Sequence, residues 1–244
     1  MRRFILLIIP LLLLPALLAA QEQPQTATAS RHVVSAPRSE WLGSFSGIDI
    51  SGNLQLKLIK TSVEEAPHIR YDTQGETGSR FRTSIDKNGI LKIEEPVDSK
   101  RTTVTQVTLW CNDIVSLRVA GADIEFDNAV AGDMFDLEIT GGANVQAKFD
   151  VADLAVTVTG RSSLTVEGSS KYLRFEISTG RFDGADLLTV SSVVDASHTS
   201  EVLLSVSERL EAATSTSAKI SYKGSPRIIR AHTTLFGGEI SAVE

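Results

Sequence analysis

The stretch "LEITGGANVQA", residues 137–147, decides the fold because it is one copy of a repeated unit. Related stretches precede and follow it, "LRVAGADIEF" at 117–126 and "VTVTGRSSLTV" at 156–166. Each copy has two apolar residues two positions apart, a corner of small residues, and an apolar residue after the corner. Internal repeats of about 20 residues are typical of architectures built by stacking identical units.

The apolar residue after the corner recurs at intervals of 21, 19, 20, 18, 18 and 20 residues. A unit of this length is too short to bury its own apolar face, whereas stacked units bury it between neighbours. The spacing therefore predicts seven stacked units, aligned on Ile124, Val145, Leu164, Gly184, Val202, Ile220 and Ile240.

The residue before each aligned apolar position is polar. Neighbouring side chains of a strand point to opposite faces, so one column should line the core and the other should face solvent. We call this second set the predicted polar column and expect it to form a ligand-binding face. Its members are Asn53, from the related N-terminal segment "IDISGNLQL", and Asp123, Asn144, Ser163, Asp183, Glu201, Lys219 and Glu239.

The rest of the chain after residue 40 also alternates between apolar and polar residues, as in "FSGIDISGNLQLKLI". This period of two is typical of half-buried strands. Asn88 and Gly89 predict the turn of a hairpin, and no segment has the pattern of an amphipathic helix. We predict an all-β solenoid with coils of about 18–21 residues, in which residues 60–112 are longer excursions.

The N-terminus has the layout of a secretory signal peptide. Arg2 and Arg3 precede an apolar run that ends in small residues, which predicts cleavage near Ala20. The run is interrupted by prolines and is too short for a membrane-spanning helix, so no stable membrane insertion is expected after cleavage. Residues 21–40 are predicted to be a flexible leader, and residues 41–244 a single domain with a strand-rich part, 41–112, and regular coils, 113–244.

Composition excludes one class of partner. Without residues 1–20, the chain has 22 basic and 30 acidic side chains, a net charge of −8. Nucleic-acid binding needs clustered Lys and Arg, so no nucleic-acid partner is expected.

The sequence contains no recognisable catalytic or metal-binding motif. The four histidines, His32, His68, His198 and His232, are far apart in sequence and lack zinc-site spacing. The single cysteine, Cys111, is interpreted as a small buried hydrophobic residue rather than a catalytic thiol. We therefore predict no catalytic residues, no metal and no cofactor.

The order of the segments "FSGIDISGNLQLKL", "IDKNGILKI", "VTLWCNDIVSLRVAGA" and "ISYKGSPRI" resembles the bacterial head GIN domain, a family of unknown function named as an auto-transporter adhesin head. The resemblance covers about residues 41–242. It implies a right-handed β-helix-like fold, a secreted or envelope location and a role in adhesion. Two corners, "SHTSE" and "STSAK", depart from the family's small-residue pattern.

Three functions remain open from the sequence. The first is a non-enzymatic binding module that presents the polar column to an envelope protein or a glycan. The second is a carbohydrate-active enzyme, because Asp183 and Glu201 would be neighbours in the column and paired carboxylates can cleave glycosides. The third is a scaffold that associates with itself through a solenoid edge. Aromatic residues are few, and Trp41, Trp110, Tyr71 and Tyr222 are interpreted as core or edge residues rather than a sugar-stacking platform.

Overall fold

The computed structural model describes residues 36–74, 80–234 and 236–243. The predicted signal peptide and most of the predicted leader lie outside these residues, and the described part belongs to one compact unit, 33–244. All regular elements in it are β-strands, as the alternating pattern predicts. None of the described residues forms a helix that could span a membrane.

Fourteen strands are present among the described residues, joined in one sheet that does not close on itself. They are β1 Arg38–Trp41, β2 Gly47–Gly52, β3 Leu54–Lys60, β4 His68–Asp72, β5 Arg82–Ile85, β6 Ile90–Glu95, β7 Thr105–Cys111, β8 Ser116–Ala120, β9 Asp123–Phe126, β10 Val130–Thr140, β11 Asn144–Thr214, β12 Lys219–Lys223, β13 Ile228–Thr233 and β14 Glu239–Ala242. The first strand begins at Arg38, three residues before the predicted start of the domain.

The 71-residue strand β11 bends at a series of corners. Residues with positive φ mark them: Gly160 at 72°, Thr179 at 62° and His198 at 56°. A left-handed residue reverses the local backbone twist, so the chain turns while hydrogen bonding continues. These corners recur about every 19 residues, which is the period of the sequence repeat.

Successive repeats pair in parallel and in register. Leu137 lies between Leu117 of β8 and Val156 of β11, and Ile139 lies between Val119 and Val158. The apolar pairs recognised in the sequence therefore stack directly on one another. We call the strands that precede a corner flank 1. They are β2, β6, β8, the end of β10, the stretches of β11 before its corners and β13. We call the strands that follow a corner flank 2. They are β3, β7, β9, the stretches of β11 after its corners, β12 and β14.

The N-terminal half also contains stacked strands, but in an order different from the chain order; we call a strand of flank 1 together with the strand of flank 2 that follows it a coil. β2 lies between β6 and β8, and β3 lies between β7 and β9. Residues 90–111 thus form a coil of their own outside the coil of residues 47–60. The expectation that the whole segment 60–112 consists of excursions is wrong for this part, because alternation in "ILKIEE" and "VTQVTLW" already has the period of a stacked strand.

Antiparallel strands cover this outer coil. β5 pairs with β6 through the predicted Asn88–Gly89 turn, in which Oδ1 of Asp86 accepts hydrogen bonds from the N–H groups of Asn88 and Ile90. On the other flank, β4 pairs with β7 and β1 pairs with β4. At this end of the sheet, the outer coil is therefore covered by antiparallel strands and not by another parallel coil.

The core lies between the flanks and runs the length of the stack. Its largest fully buried side chains include five phenylalanines. Phe126 and Phe135 both pack on Phe149, and Phe175 packs on Phe182 with ring centroids 4.2 Å apart. Such contacts supply the apolar burial that each short unit lacks alone.

Candidate functional site

Most of the predicted polar column lies on the outward face of flank 2. Asp123 pairs with Asn144, and Lys219 pairs with both Glu201 and Glu239. The N–H of Ser163 donates to the carbonyl of Ala143 at 2.9 Å, which continues the ladder by one strand. Neighbouring strands are about 4.8 Å apart, so these side chains form a closely spaced row.

Asp183 does not lie beside Glu201 as predicted. The side chain that meets Glu201 is Arg181, whose Nη1 is 3.8 Å from the carboxylate. At this level the buried aromatic residue is Phe182, and Asp183 turns to accept a hydrogen bond from the N–H of Ala185. After the corner at Thr179, fewer residues precede the next buried apolar side chain than after the neighbouring corners. The spacing of the repeat did not reveal this difference.

Asn53 is also outside the row. The residue that pairs with Asp123 is Gln55, and Gln55 in turn pairs with Gln106. Asn53 instead occupies the corner after Gly52, where its N–H donates to the carbonyl of Glu95. The corner between β2 and β3 is one residue longer than the corner between β8 and β9, because Ile50 and Leu56 stack on Val119 and Ile124. An alignment on the first apolar residue after the small residues therefore misplaced this position by two residues.

The row alternates in charge over its last four positions, Arg181, Glu201, Lys219 and Glu239. Each acid on this stretch has a basic neighbour, so Asp183 and Glu201 do not form the carboxylate pair that the enzyme alternative requires. Exposed pairs of this kind contribute little to stability. Their repeated charges are available to a partner that crosses several strands.

A second row of charges runs parallel to the first on the same face. Lys57 pairs with Asp127, and Lys148 pairs with Glu167 at 2.8 Å. The hydrogen bond from Lys148 to Glu167 raises the pKa of the lysine, and Asp127 does the same for the pKa of Lys57. We call the outward surface of flank 2, together with β1 and β4, the ladder face.

The remaining candidates for chemistry do not converge. Cys111 is fully buried, and burial raises the pKa of its thiol to about 12, which keeps it un-ionised. Nδ1 of His198 lies 3.1 Å from the hydroxyl of Ser178, while His68 belongs to β4 and His232 to β13. His32 lies outside the described residues, and within those residues no three His, Cys, Asp or Glu side chains are grouped to hold a metal ion.

A column of hydroxyl side chains on flank 1 was not predicted from the sequence. The five that precede positive-φ residues recur every 18 or 19 residues. Four of these five, all except Thr140, line a shallow groove of about 380 Å³ together with the acids Glu176 and Asp195. The signal was present in the sequence as a Ser or Thr directly before the corners at 141, 160, 179, 198 and 216. The column comprises Thr140, Thr159, Ser178, Ser197, Ser215 and Thr234.

The aromatic residues were interpreted as core or edge residues, and Tyr71, Tyr222 and Trp41 have such positions. Tyr71 and Tyr222 pack against the core, in agreement with the prediction. Trp41 is 74% exposed and belongs to an edge strand, where it packs on His68. His68 in turn stacks on Trp110, so three rings form one cluster on the ladder face.

The repeated core, the small-residue corners and the order of the segments agree with a comparison against protein families. The model of the family described as "Putative auto-transporter adhesin, head GIN domain" matches residues 44–226. The chain belongs to the head GIN domain family. No curated protein matches the sequence.

Solved structures share the fold of this head GIN domain at low sequence identity. A "putative adhesin" from Bacteroides fragilis is 17% identical with a TM-score of 0.76, covering 85% of this chain and 96% of that one. A "putative lipid binding protein" from Parabacteroides distasonis is 16% identical with a TM-score of 0.67, covering 86% and 96%. A "putative adhesin" from Parabacteroides merdae is 15% identical with a TM-score of 0.64, also covering 86% and 96%. At these identities the likeness shows the fold alone.

Proposed function

We propose that this head GIN domain is a non-enzymatic binding module of the cell envelope or exterior, an adhesin in the sense of its family. Its repeats stack as a right-handed β-solenoid, and the ladder face binds a protein or glycan partner. In-register parallel pairing at offsets of 18 to 21 residues supports the solenoid, as in the pairs Glu201–Lys219 and Asp123–Asn144. The family description supports the adhesive role.

The observation that carries the proposal is the continuity of the ladder face. From β1 through β4, β7, β3 and β9 to β11, the strands are hydrogen bonded in one order, so their outward side chains form uninterrupted rows. Each row offers polar or charged groups at a spacing of about 4.8 Å. Many weak contacts that repeat along a chain-like partner add up to useful affinity.

The location is proposed on two grounds. The family description names an auto-transporter adhesin, and residues 1–20 have the composition of a signal peptide. Intact-mass measurement of the exported protein tests this directly. A chain beginning at Gln21 is expected, and a mass that retains residues 1–20 contradicts the proposal.

Binding is tested with residues 21–244 in a pull-down from envelope extract and on a glycan array. The variant Asp123→Ala/Asn144→Ala/Glu201→Ala removes three outward groups of the ladder face and should abolish capture. The matched variant Thr157→Ala/Glu176→Ala/Asp195→Ala removes outward groups from flank 1 and should retain it. Equal capture by the wild type and the ladder-face variant contradicts the assignment of the face.

A carbohydrate-active enzyme is the less supported alternative. It would need two carboxylates held together with one of them partly buried. On the ladder face the nearest charged groups to Glu201 are basic, Arg181 by contact and Lys219 by register. No cleavage of array glycans by the wild-type protein is expected.

A further inference from the structure

The aromatic cluster of Trp41, His68 and Trp110 stands in one cross-strand row of the ladder face. Trp41 of β1 pairs with His68 of β4, and His68 pairs with Trp110 of β7. The ring centroids of His68 and Trp110 are 4.4 Å apart and nearly parallel, at 10°. Trp41 lies 5.0 Å from His68, tilted by 54°. The stack therefore fixes the position of an indole that is 74% exposed.

A tryptophan whose ring is fixed by neighbouring rings is rarely exposed to solvent, because its side chain has a larger apolar surface than any other. Burying this apolar surface against a partner is favourable, and tryptophans are enriched in binding surfaces for this reason. Trp41 sits on the edge strand β1, so one side of its ring meets His68 and the other faces solvent.

A row of hydrogen-bonding side chains lies beside the rings. Ser39 pairs with Arg70, and Arg70 pairs with Thr108, two residues along the same strands. Residues two positions apart on a strand are about 7 Å apart and point to the same side. Ser39 and Thr108 offer hydroxyls, and Arg70 offers a fork of N–H donors.

Arg70 has no charge partner among the described residues. Two other cations of the ladder face do have one, Lys57 in Asp127 and Lys148 in Glu167. Within residues 36–74, 80–234 and 236–243, the guanidinium of Arg70 makes neither an ion pair nor a side-chain hydrogen bond. A free guanidinium in a chain of net charge −6 is a local site for a carboxylate, which it can bind through two parallel hydrogen bonds.

We propose that Trp41, Arg70 and Thr108 form a binding site for an acidic saccharide, a pyranose that carries a carboxylate. The apolar face of the sugar ring stacks on the indole of Trp41, its carboxylate binds Arg70, and its hydroxyls reach Ser39 and Thr108. A peptide would also cover an indole, but ring stacking beside a row of hydroxyls and one guanidinium matches a uronic acid more closely. The inference rests on the proposed binding function and names a ligand class for one end of the same face.

The sequence supplies a built-in probe for this site. It contains two tryptophans, and both belong to the cluster. Titration of the protein, residues 21–244, with a galacturonic acid trimer should change the intrinsic tryptophan fluorescence. The neutral galactose trimer should bind more weakly by about tenfold or more, because it lacks the group that binds Arg70. A wild-type protein that shows no response to either trimer, or an equal affinity for both, overturns the proposal.

Variants measured by calorimetry separate the two contributions. Trp41→Ala should weaken both trimers by about tenfold or more, and Arg70→Gln should weaken the acidic trimer only. The matched controls are Tyr172→Ala and Arg174→Gln, because Tyr172 is another exposed aromatic residue beside a cation, 5.1 Å from Nζ of Lys171. These controls should bind as the wild type does, and an equal loss in them overturns the site. Circular dichroism melting checks that each variant is folded.

The variant Asp123→Ala/Asn144→Ala/Glu201→Ala distinguishes this inference from the proposed function. It should keep the affinity for the acidic trimer while losing capture of the envelope partner. Loss of capture with no effect of Trp41→Ala on any ligand would overturn the saccharide site and leave the ladder face supported. Trimer binding that depends on Trp41, with capture unchanged in the triple variant, would support the site and contradict the wider face.

Discussion

The carboxylate Oε1 of Glu95 lies 2.7 Å from Nη1 of Arg101, and the two side chains are only 2% and 7% exposed. Glu95 ends β6 and Arg101 lies in the connection to β7, whose first residue, Thr105, donates its hydroxyl to Oε2 of Glu95 at 2.9 Å. Arg101 also donates to the hydroxyl of Thr105 and to the carbonyl of Thr73. The pair therefore fastens the outermost coil to the connection after β4.

Glu95→Gln is expected to lower the free energy of unfolding by about 3–5 kcal/mol, because it leaves a buried guanidinium without its counter-charge. Urea unfolding followed by circular dichroism measures the change. The control is Glu138→Gln, whose pair with Arg118 is exposed, at 2.8 Å, and should cost less than ~1 kcal/mol. Equal losses in the two variants would show that burial of the Glu95 pair does not matter.

The buried thiol of Cys111 should make stability fall at high pH. Its pKa is raised from 9.0 to about 12 by burial, so the unfolded chain loses this proton before the folded chain does. The stability that the neutral thiol contributes is complete below pH 9.0 and is lost as pH rises toward 12, by up to ~1.4 kcal/mol per pH unit. Cys111→Ala should unfold with a shallower dependence on pH over this interval, and parallel curves for the two proteins would contradict the prediction.

Phe182 should be among the most costly residues to truncate. It is 1% exposed and packs on Phe175, so Phe182→Ala should cost about 3–5 kcal/mol through lost burial and the cavity left behind. Phe236→Ala is the matched control because Phe236 is 86% exposed, and it should change stability by no more than ~0.5 kcal/mol. Thermal melts of the two variants would refute the packing assignment if they shifted equally.

Gly168 is required by the close approach of two strands. Its φ is +116°, and a Cβ at this position would lie 2.0 Å from the carbonyl oxygen of Phe149. Gly168→Ala should therefore destabilise the protein by more than ~1 kcal/mol, since both the backbone conformation and the neighbouring strand oppose it. Gly132→Ala meets nothing within 4 Å and should be neutral or slightly stabilising. Denaturant titration of the pair decides between a local requirement and a general intolerance of alanine.

The all-β class and the stacking of the repeated apolar pairs were predictable because alternation and the repeat period depend on local sequence. Leu117, Leu137 and Val156 occupy equivalent positions in the sequence repeat and stack in the structure. The predicted register was wrong at the positions where the corners differ in length. Gln55 and Arg181 replace Asn53 and Asp183 in the ladder because a corner that differs in length from its neighbours shifts the following strand, and no local pattern reports that shift.

The order of the strands in the sheet could not be predicted from the sequence pattern either. Nothing in "ILKIEE" indicates that β6 pairs with β2 on the side away from β8, because both sides of β2 offer the same backbone groups. The aromatic cluster was missed for the same reason. Trp41, His68 and Trp110 are separated by 27 and 42 residues, and only antiparallel pairing of β1, β4 and β7 brings their rings together.

The out-of-order position of residues 90–111 bears on how the chain matures. A polypeptide that leaves a ribosome or an export channel from its N-terminus delivers β2 and β3 first, with both of their hydrogen-bonding edges unsatisfied. Those edges are filled only when β6 and β7 have folded back on one side and β8 and β9 have arrived on the other. Open edges of this kind invite pairing with other chains. Each later coil, by contrast, pairs with strands that are already folded. The protein therefore most needs protection from aggregation in the interval before residue 126 emerges.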